Sequence, residues 1–256
     1  MCICCLSILM FHELKKNFSD KETSSRAYVP TARFLLHVKE ENEKVSEKIA
    51  YLTFDDGPSE VTPSILDTLK EKKVKATFFL IGKEITKERE HIVKRTVAEG
   101  HSIGIHTHCH KRTEIYSSCE NFQCDFLQAY QRIKEVTGNY PCIHRFPFGS
   151  MNAELKSIYS DVEKTLITMG IRSYDWNCSG EDSVGNPTTS SILRNVKKDF
   201  KKTNRPIILL HDSNATKKTA LILGDIIDMI KEESYEFDTL GNRCDAYQFP
   251  KEWRKG

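Results

Sequence analysis

From Lys48 onward the chain alternates short apolar runs with longer amphipathic stretches, and this alternation most narrows the folds open to it. Runs rich in β-branched and aromatic residues read as buried strands, and stretches with apolar residues three and four apart read as helices. Regular alternation of the two gives a parallel sheet or barrel, because parallel neighbours need a crossover connection. The expected first strand runs from Ile49 to Phe54 and ends in the loop DDGPSEVTP. A helix over Thr62–Lys72, a strand over Ala76–Ile81, a helix over Lys83–Glu99 and a strand over Ser102–Ile105 follow, the last leading into HTHCH. The spacing of Phe122, Phe126, Tyr130, Ile133 and Val136 predicts a helix over Cys119–Thr137, stopped by Gly138. Further strands are expected at Cys142–Phe146, Ile171–Tyr174 and Pro206–Leu210, and further helices within Ala153–Met169, Thr189–Lys202 and Thr216–Glu233. Residues after Phe237 read as a tail.

A length of 256 residues suits one domain of this kind. The 38 basic and 36 acidic residues leave a net charge of +2, so nucleic-acid binding through a broad basic surface is not expected. Residues 12–47 are polar and irregular, and with the first eleven they read as a leader or linker. Within it, CICCLSILMF over residues 2–11 is too short to span a bilayer. It resembles the apolar part of an export signal without the positive flank and cleavage site, which suits either a remnant of a signal or anchor or an apolar tail. Three of the nine cysteines lie there, and the other six hold no CxxC pair, so small buried hydrophobes are their expected role.

The unusual polar residues all fall in one kind of place. Asp55-Asp56, His106, Arg145, Asp175 and His211 each sit at or just beyond the C-terminal end of a predicted strand. In parallel α/β architectures that end gathers the catalytic loops. His106 and His110, four apart after a strand, can present two imidazoles to one divalent cation, although such pairs also arise by chance. An aspartate from another strand would complete a three-ligand site with an open position. Asp-Asp-Gly-Pro is also ordinary turn chemistry, but adjacent aspartates at a strand end call for a cation or an arginine nearby. Arg145 in RFPFG could pair with one of them, and His211 could serve as a proton donor near neutral pH.

In order along the chain, TFDDGP (53–58), H-T-x-x-H (106–110), R-x-P-x-G (145–149) and L-L-H-D (209–212) resemble the motif set of the NodB-type polysaccharide deacetylases, carbohydrate esterase family 4. The resemblance implies a distorted (β/α) barrel, an α/β fold, with a catalytic domain over 48–237 between the leader (1–47) and a C-terminal tail (238–256). It implies a divalent metal, zinc first with cobalt, nickel or manganese as alternatives, held by Asp56, His106 and His110. Asp55 would be general base to a metal-bound water, Arg145 would orient Asp55, and His211 would be general acid. Pro147, Phe148, Leu209, Asp175 and Trp176 would contact substrate, Phe148 through its backbone and Leu209 in the acetyl pocket.

Two departures stand out. Phe146-Pro147 replaces a Pro-Pro pair, and in the segment DWNCSGEDS Ser179 and Ser183 stand where an aspartate and a tryptophan are usual. The histidine's carboxylate partner is then Asp175 or Asp182, or is missing. The Y-D-W-N form is similar to a subgroup of bacterial peptidoglycan deacetylases, which favours that substrate, with a chitin-type amide or an O-acetylated xylan as alternatives and a non-catalytic glycan binder as the reading from another class. The resemblance further implies an N-acetylated polysaccharide at a bacterial cell surface, no nucleic acid, no tight protein partner, and no stated oligomeric state.

Overall fold

The computed structural model describes residues 48–250; residues 1–47, expected from sequence to be a leader or linker, and residues 251–256 lie outside them. Among the described residues eight parallel strands form one curled sheet. They are β1 (Ile49–Gly57), β2 (Thr77–Leu80), β3 (Ser102–Ile105), β4 (Ile143–His144), β5 (Arg172–Ser173), β6 (Cys178–Ser179), β7 (Ile207–His211) and β8 (Glu236–Phe237). The order is β5-β4-β3-β2-β1-β7-β6, with β8 pairing the start of β1, and β5 and β6 form the two unpaired edges of an incompletely closed barrel. The helices are α1 (Thr62–Glu71), α2 (Glu90–Ala98), α3 (Arg112–Ile115), α4 (Cys119–Thr137), α5 (Tyr159–Thr168), α6 (Thr189–Asp199) and α7 (Lys217–Glu232). None of these is long and apolar enough to cross a membrane.

Strand periodicity explains how the barrel delivers polar groups to its mouth. Alternate residues of a strand face opposite sides. On β1, Tyr51, Thr53 and Asp55 share the inner face: Tyr51 packs with Phe79, Ile143, Tyr174, Ile207 and Leu240, while Thr53 and Asp55 both bond to Arg145. Phe54 on the other face stacks on Phe78 at 5.1 Å. Ile207, Leu209 and His211 repeat the pattern on β7, directly beside Tyr51, Thr53 and Asp55 in register. The interior thus changes from apolar at the bottom to ionisable at the C-terminal rim.

Helix α4 matches its expected bounds. Ser118 accepts the Asn121 N–H at its start, and Gly138 closes it at φ +77°, a left-handed conformation that glycine adopts without steric cost. Other elements differ. The helix expected over 83–99 is two 3₁₀ turns followed by α2, because Ile85 leaves helical geometry with ψ 65°. Helix α5 starts only at Tyr159, and the strands β4 and β5 are two residues each. Strands β6 and β8 and helix α3 carry too few residues for a periodic signal. Of the six cysteines among the described residues none forms a disulfide, and only Cys178 is buried, against the expectation of small core hydrophobes. Residues 238–250, read from sequence as tail, pack on the barrel: Leu240 is fully buried and Tyr247 bridges Tyr174.

Candidate active site

Asp55 and Asp56 diverge because the chain bulges between them. The β1–β2 register slips between Asp55 and Gly57, leaving Asp56 as the extra residue at φ +75°. Asp55 is 3% exposed and points into the barrel, where Arg145 Nη1 donates to its Oδ1 at 2.8 Å. Asp56 turns toward the HTHCH loop. Its Oδ1 lies 3.6 Å from His106 Nε2 and 3.4 Å from His110 Nε2, and the three ligand atoms fall within 4.8 Å of one another.

These contacts are not ordinary ion pairs. His106 Nδ1 is 2.9 Å from the Arg145 carbonyl, which can only accept, so the proton sits on Nδ1 and the Nε2 lone pair faces Asp56. Burial pushes His106 well below its usual pKa, helped by neighbouring His110, and burial also lowers His110. Asp56 Oδ1 is buried and accepts no hydrogen bond among the described residues, and burial raises this carboxyl to about 6. Acceptors facing one another without a hydrogen between them fit a cation. The spacing fits as well, because ligands about 2.1 Å from a tetrahedral ion stand roughly 3.4 Å apart. A ring hydrogen bond such as the one from His106 to the Arg145 carbonyl is the kind of contact that orients an imidazole toward a metal. Asp55 Oδ2, 3.8 Å from His106 Nε2, faces the same space from the side.

His211 lies across the cleft. Asp182 accepts from its Nδ1 at 2.8 Å and from its backbone N–H at 2.7 Å, while Thr219 Oγ1 donates to the same carboxylate at 2.6 Å. Burial alone would lower this imidazole, but the hydrogen bond and charge of Asp182, with Asp55 and Asp56 beyond, raise it to about 9. Asp175 is not that partner. It is 1% exposed and turned to Ser150 and Phe249, so it presents no surface to the cleft. Ser183, where tryptophan is usual, puts its hydroxyl 3.4 Å from His211 Nε2.

The cleft of about 430 Å³ is lined by Asp55, Asp56, His106, His110 and His211, by Phe146, Phe148, Trp176 and Leu209, and by the Ser179–Val184 loop. Pro147, a sequence candidate for substrate contact, is instead buried with its carbonyl bonded to Tyr116 Oη, and Phe146 takes its place on the wall. Phe148 is 44% exposed, its ring set between His110 and the Arg112 guanidinium. Four cleft residues, Asp56, His110, Phe148 and Glu181, hold positive φ, as does Thr107 between the two histidines. Such strain, worth roughly 1–3 kcal/mol per residue, collects where surrounding bonds enforce a functional geometry.

Those bonds come partly from Asp125, which motif spacing did not single out, and partly from Asp212, the last residue of the L-L-H-D motif, to which no role was assigned. Asp125 on α4 accepts from the backbone N–H groups of His108 (2.6 Å) and Cys109 (2.9 Å), clamping the loop between the two histidines. Its signal was a carboxylate inside the Phe122–Phe126 apolar stripe. Asp212, fully buried, accepts from Ser59 and Thr62 and fixes the loop after β1. A Cβ on Gly57 would come within 2.4 Å of its Oδ2, so glycine is required there.

Both the sequence and the fold match known proteins. A family model described as polysaccharide deacetylase matches residues 42–167. The chain is 31% identical over 230 residues to a peptidoglycan-N-acetylglucosamine deacetylase of Listeria monocytogenes, covering 89% of this chain and 45% of that protein. It therefore spans about half the length of that relative. A peptidoglycan-N-acetylglucosamine deacetylase of Bacillus cereus is 33% identical over 196 residues, covering 75% of this chain and 68% of the relative. The catalytic domain of peptidoglycan N-acetylglucosamine deacetylase from Eubacterium rectale superposes with a TM-score of 0.74 at 28% identity, covering 90% of this chain and 98% of that one. Shared sequence over most of its length and a shared curled parallel sheet make this chain a member of the polysaccharide deacetylase family.

Proposed function

We propose that this chain hydrolyses N-acetyl groups from a cell-wall polysaccharide at the cell surface, with peptidoglycan as the favoured substrate. The observation that carries the reading is the convergence of three acceptor atoms, from Asp56, His106 and His110, beside the free oxygen of Asp55 and opposite His211. The substrate preference draws support from relatives that bear the name peptidoglycan-N-acetylglucosamine deacetylase.

Asp56, His106 and His110 would hold a divalent ion, zinc by preference of this donor set, and such an ion would supply Lewis acidity and activate water for attack. The protein's own groups do the rest. Asp55 Oδ2 takes the proton of the attacking water, while Arg145 pins the other oxygen so that the carboxylate keeps its aim. The Phe148 N–H donates to the oxyanion of the tetrahedral intermediate. His211, protonated at neutral pH and held by Asp182, passes a proton to the departing sugar amine, and the acetyl group leaves as acetate. Leu209 and Trp176 flank the acetyl methyl.

The test is acetate release from peptidoglycan, chito-oligomers and acetyl-xylan by zinc-loaded protein and by Asp55→Asn. Release from an amide substrate is expected, with the variant keeping its zinc and losing about 10²–10⁴-fold in turnover. Turnover of the xylan ester alone would make the chain an O-acetyl esterase, and no release from any glycan would leave a glycan-binding protein.

A further inference from the structure

We infer that Asp175 and the C-terminal segment through Phe249 are positioning elements of the substrate wall, fixing the Phe148–Ser150 turn and the ring of Trp176. The effect on turnover rests on the function proposed above; the geometry does not. Asp175 follows β5, is 1% exposed, and spends both carboxylate oxygens on two other segments. Its Oδ1 accepts the Ser150 N–H at 2.9 Å, and its Oδ2 accepts the Ser150 hydroxyl at 2.5 Å and the Phe249 N–H at 2.8 Å. Its own N–H donates to the Tyr247 carbonyl at 2.8 Å, beside the Tyr174–Tyr247 bridge. A buried carboxylate with three donors forms charge-assisted bonds, stronger than neutral ones and costly to leave unmade.

The second contact is aromatic. Phe249 meets Trp176 edge to face, with ring centroids 4.9 Å apart at 80°. Gly149 lets both rings close on the turn: a Cβ there would lie 3.0 Å from Trp176 Cη2 and 3.2 Å from Phe249 Cε2, and its φ is +77°. Gly149 and Ser150 follow the residue whose N–H is assigned to the oxyanion, and Trp176 lines the cleft. Phe249 and Asp175 thus reach the wall through bonds and packing while touching no substrate. Their loss should free the turn and the indole and leave Asp56, His106 and His110, carried on other strands, in place.

The experiment uses full-length zinc-loaded protein and the variants Phe249→Ala, Phe249→Tyr and Asp175→Asn. Hydrogen–deuterium exchange of the peptide spanning 146–152 should quicken about tenfold in Phe249→Ala and Asp175→Asn, while the peptide spanning 103–110 keeps its wild-type rate. Zinc stoichiometry should stay at the wild-type value while kcat/KM on the glycan falls about tenfold, and Phe249→Tyr, which keeps the ring, should restore both readouts. Wild-type exchange over 146–152 in both Phe249→Ala and Asp175→Asn would overturn the inference. A wild-type protein that releases no acetate counts against the proposed function, and the exchange data still decide this point.

Discussion

The proposed acid, His211, owes its charge chiefly to one neighbour. Asp182 holds its Nδ1 at 2.8 Å and, with Asp55 and Asp56 beyond, raises the imidazole to about 9, so the ring carries a proton below that pH and loses it above. Activity is expected to fall as pH rises through about 9. Asp182→Asn removes the charge that raises the ring, so the alkaline limb of the kcat profile should move down toward the ordinary histidine range, near 6.5, with lower kcat at neutral pH. An unmoved limb would take His211 out of the acid role. At this scale the sequence presented Asp55, Asp56 and His106 at strand ends and His110 four residues after His106, and the motif resemblance was needed to give them roles. It left Asp175 and Asp182 as equal candidates for the His211 contact. Asp175 follows β5 and Asp182 follows β6, and only the packed fold decides that the first turns to Ser150 and the second to His211.

Elements hold the site through groups that never reach it. Helix α4 carries Asp125, whose carboxylate bonds two backbone N–H groups of the histidine loop, while His108 turns toward Gly82. Asp125→Ala should release that loop and weaken zinc binding about 10–100-fold, the usual cost of losing an outer contact of a metal site. Competition against a chelator measures it, and undiminished affinity would show that the loop holds itself. The β2–β3 pairing rests on another buried group. His101 is 6% exposed, its Nδ1 accepts the Ala76 N–H at 3.1 Å, and burial lowers it to about 4. The unfolded ring binds a proton near 6.5 and the folded ring only near 4, so unfolding takes up protons between those values and stability falls as pH drops through that window. The loss attributable to this ring is about 3 kcal/mol from pH 6.5 down to pH 4. Urea titrations at pH 7 and pH 4.5 should show a smaller drop for His101→Asn than for the wild type. Long elements such as α4 and β1 were legible because their periodicity repeats over several turns or pairs. Two-residue strands such as β5 and β6 were not, since their pairing is set by neighbours and not by their own side chains.

For the molecule as a whole, Arg145 seals the open seam of the barrel. It is fully buried, and where β5 gives way to β6 its guanidinium donates to the carbonyls of Tyr174 and Asp175, as well as to Thr53 and Asp55. One side chain therefore satisfies the sheet edge and aims the proposed base. Arg145→Leu would strand a buried carboxylate and two carbonyls, a cost of about 3–5 kcal/mol. For a domain of this size that lowers Tm by roughly 6–20 °C, readable by calorimetry. A Tm within error of the wild type would mean the seam closes without it. The sequence by itself determined the alternation of strand and helix, the single parallel sheet, and the strand ends at which ionisable residues appear, because these follow from local periodicity and chain connectivity. Tertiary structure alone decided which of those residues meet. The bulge at Asp56, the clamp from Asp125, the choice of Asp182, and the return of residues 238–250 onto the barrel all depend on contacts between segments far apart in the chain, and no local pattern encodes such contacts.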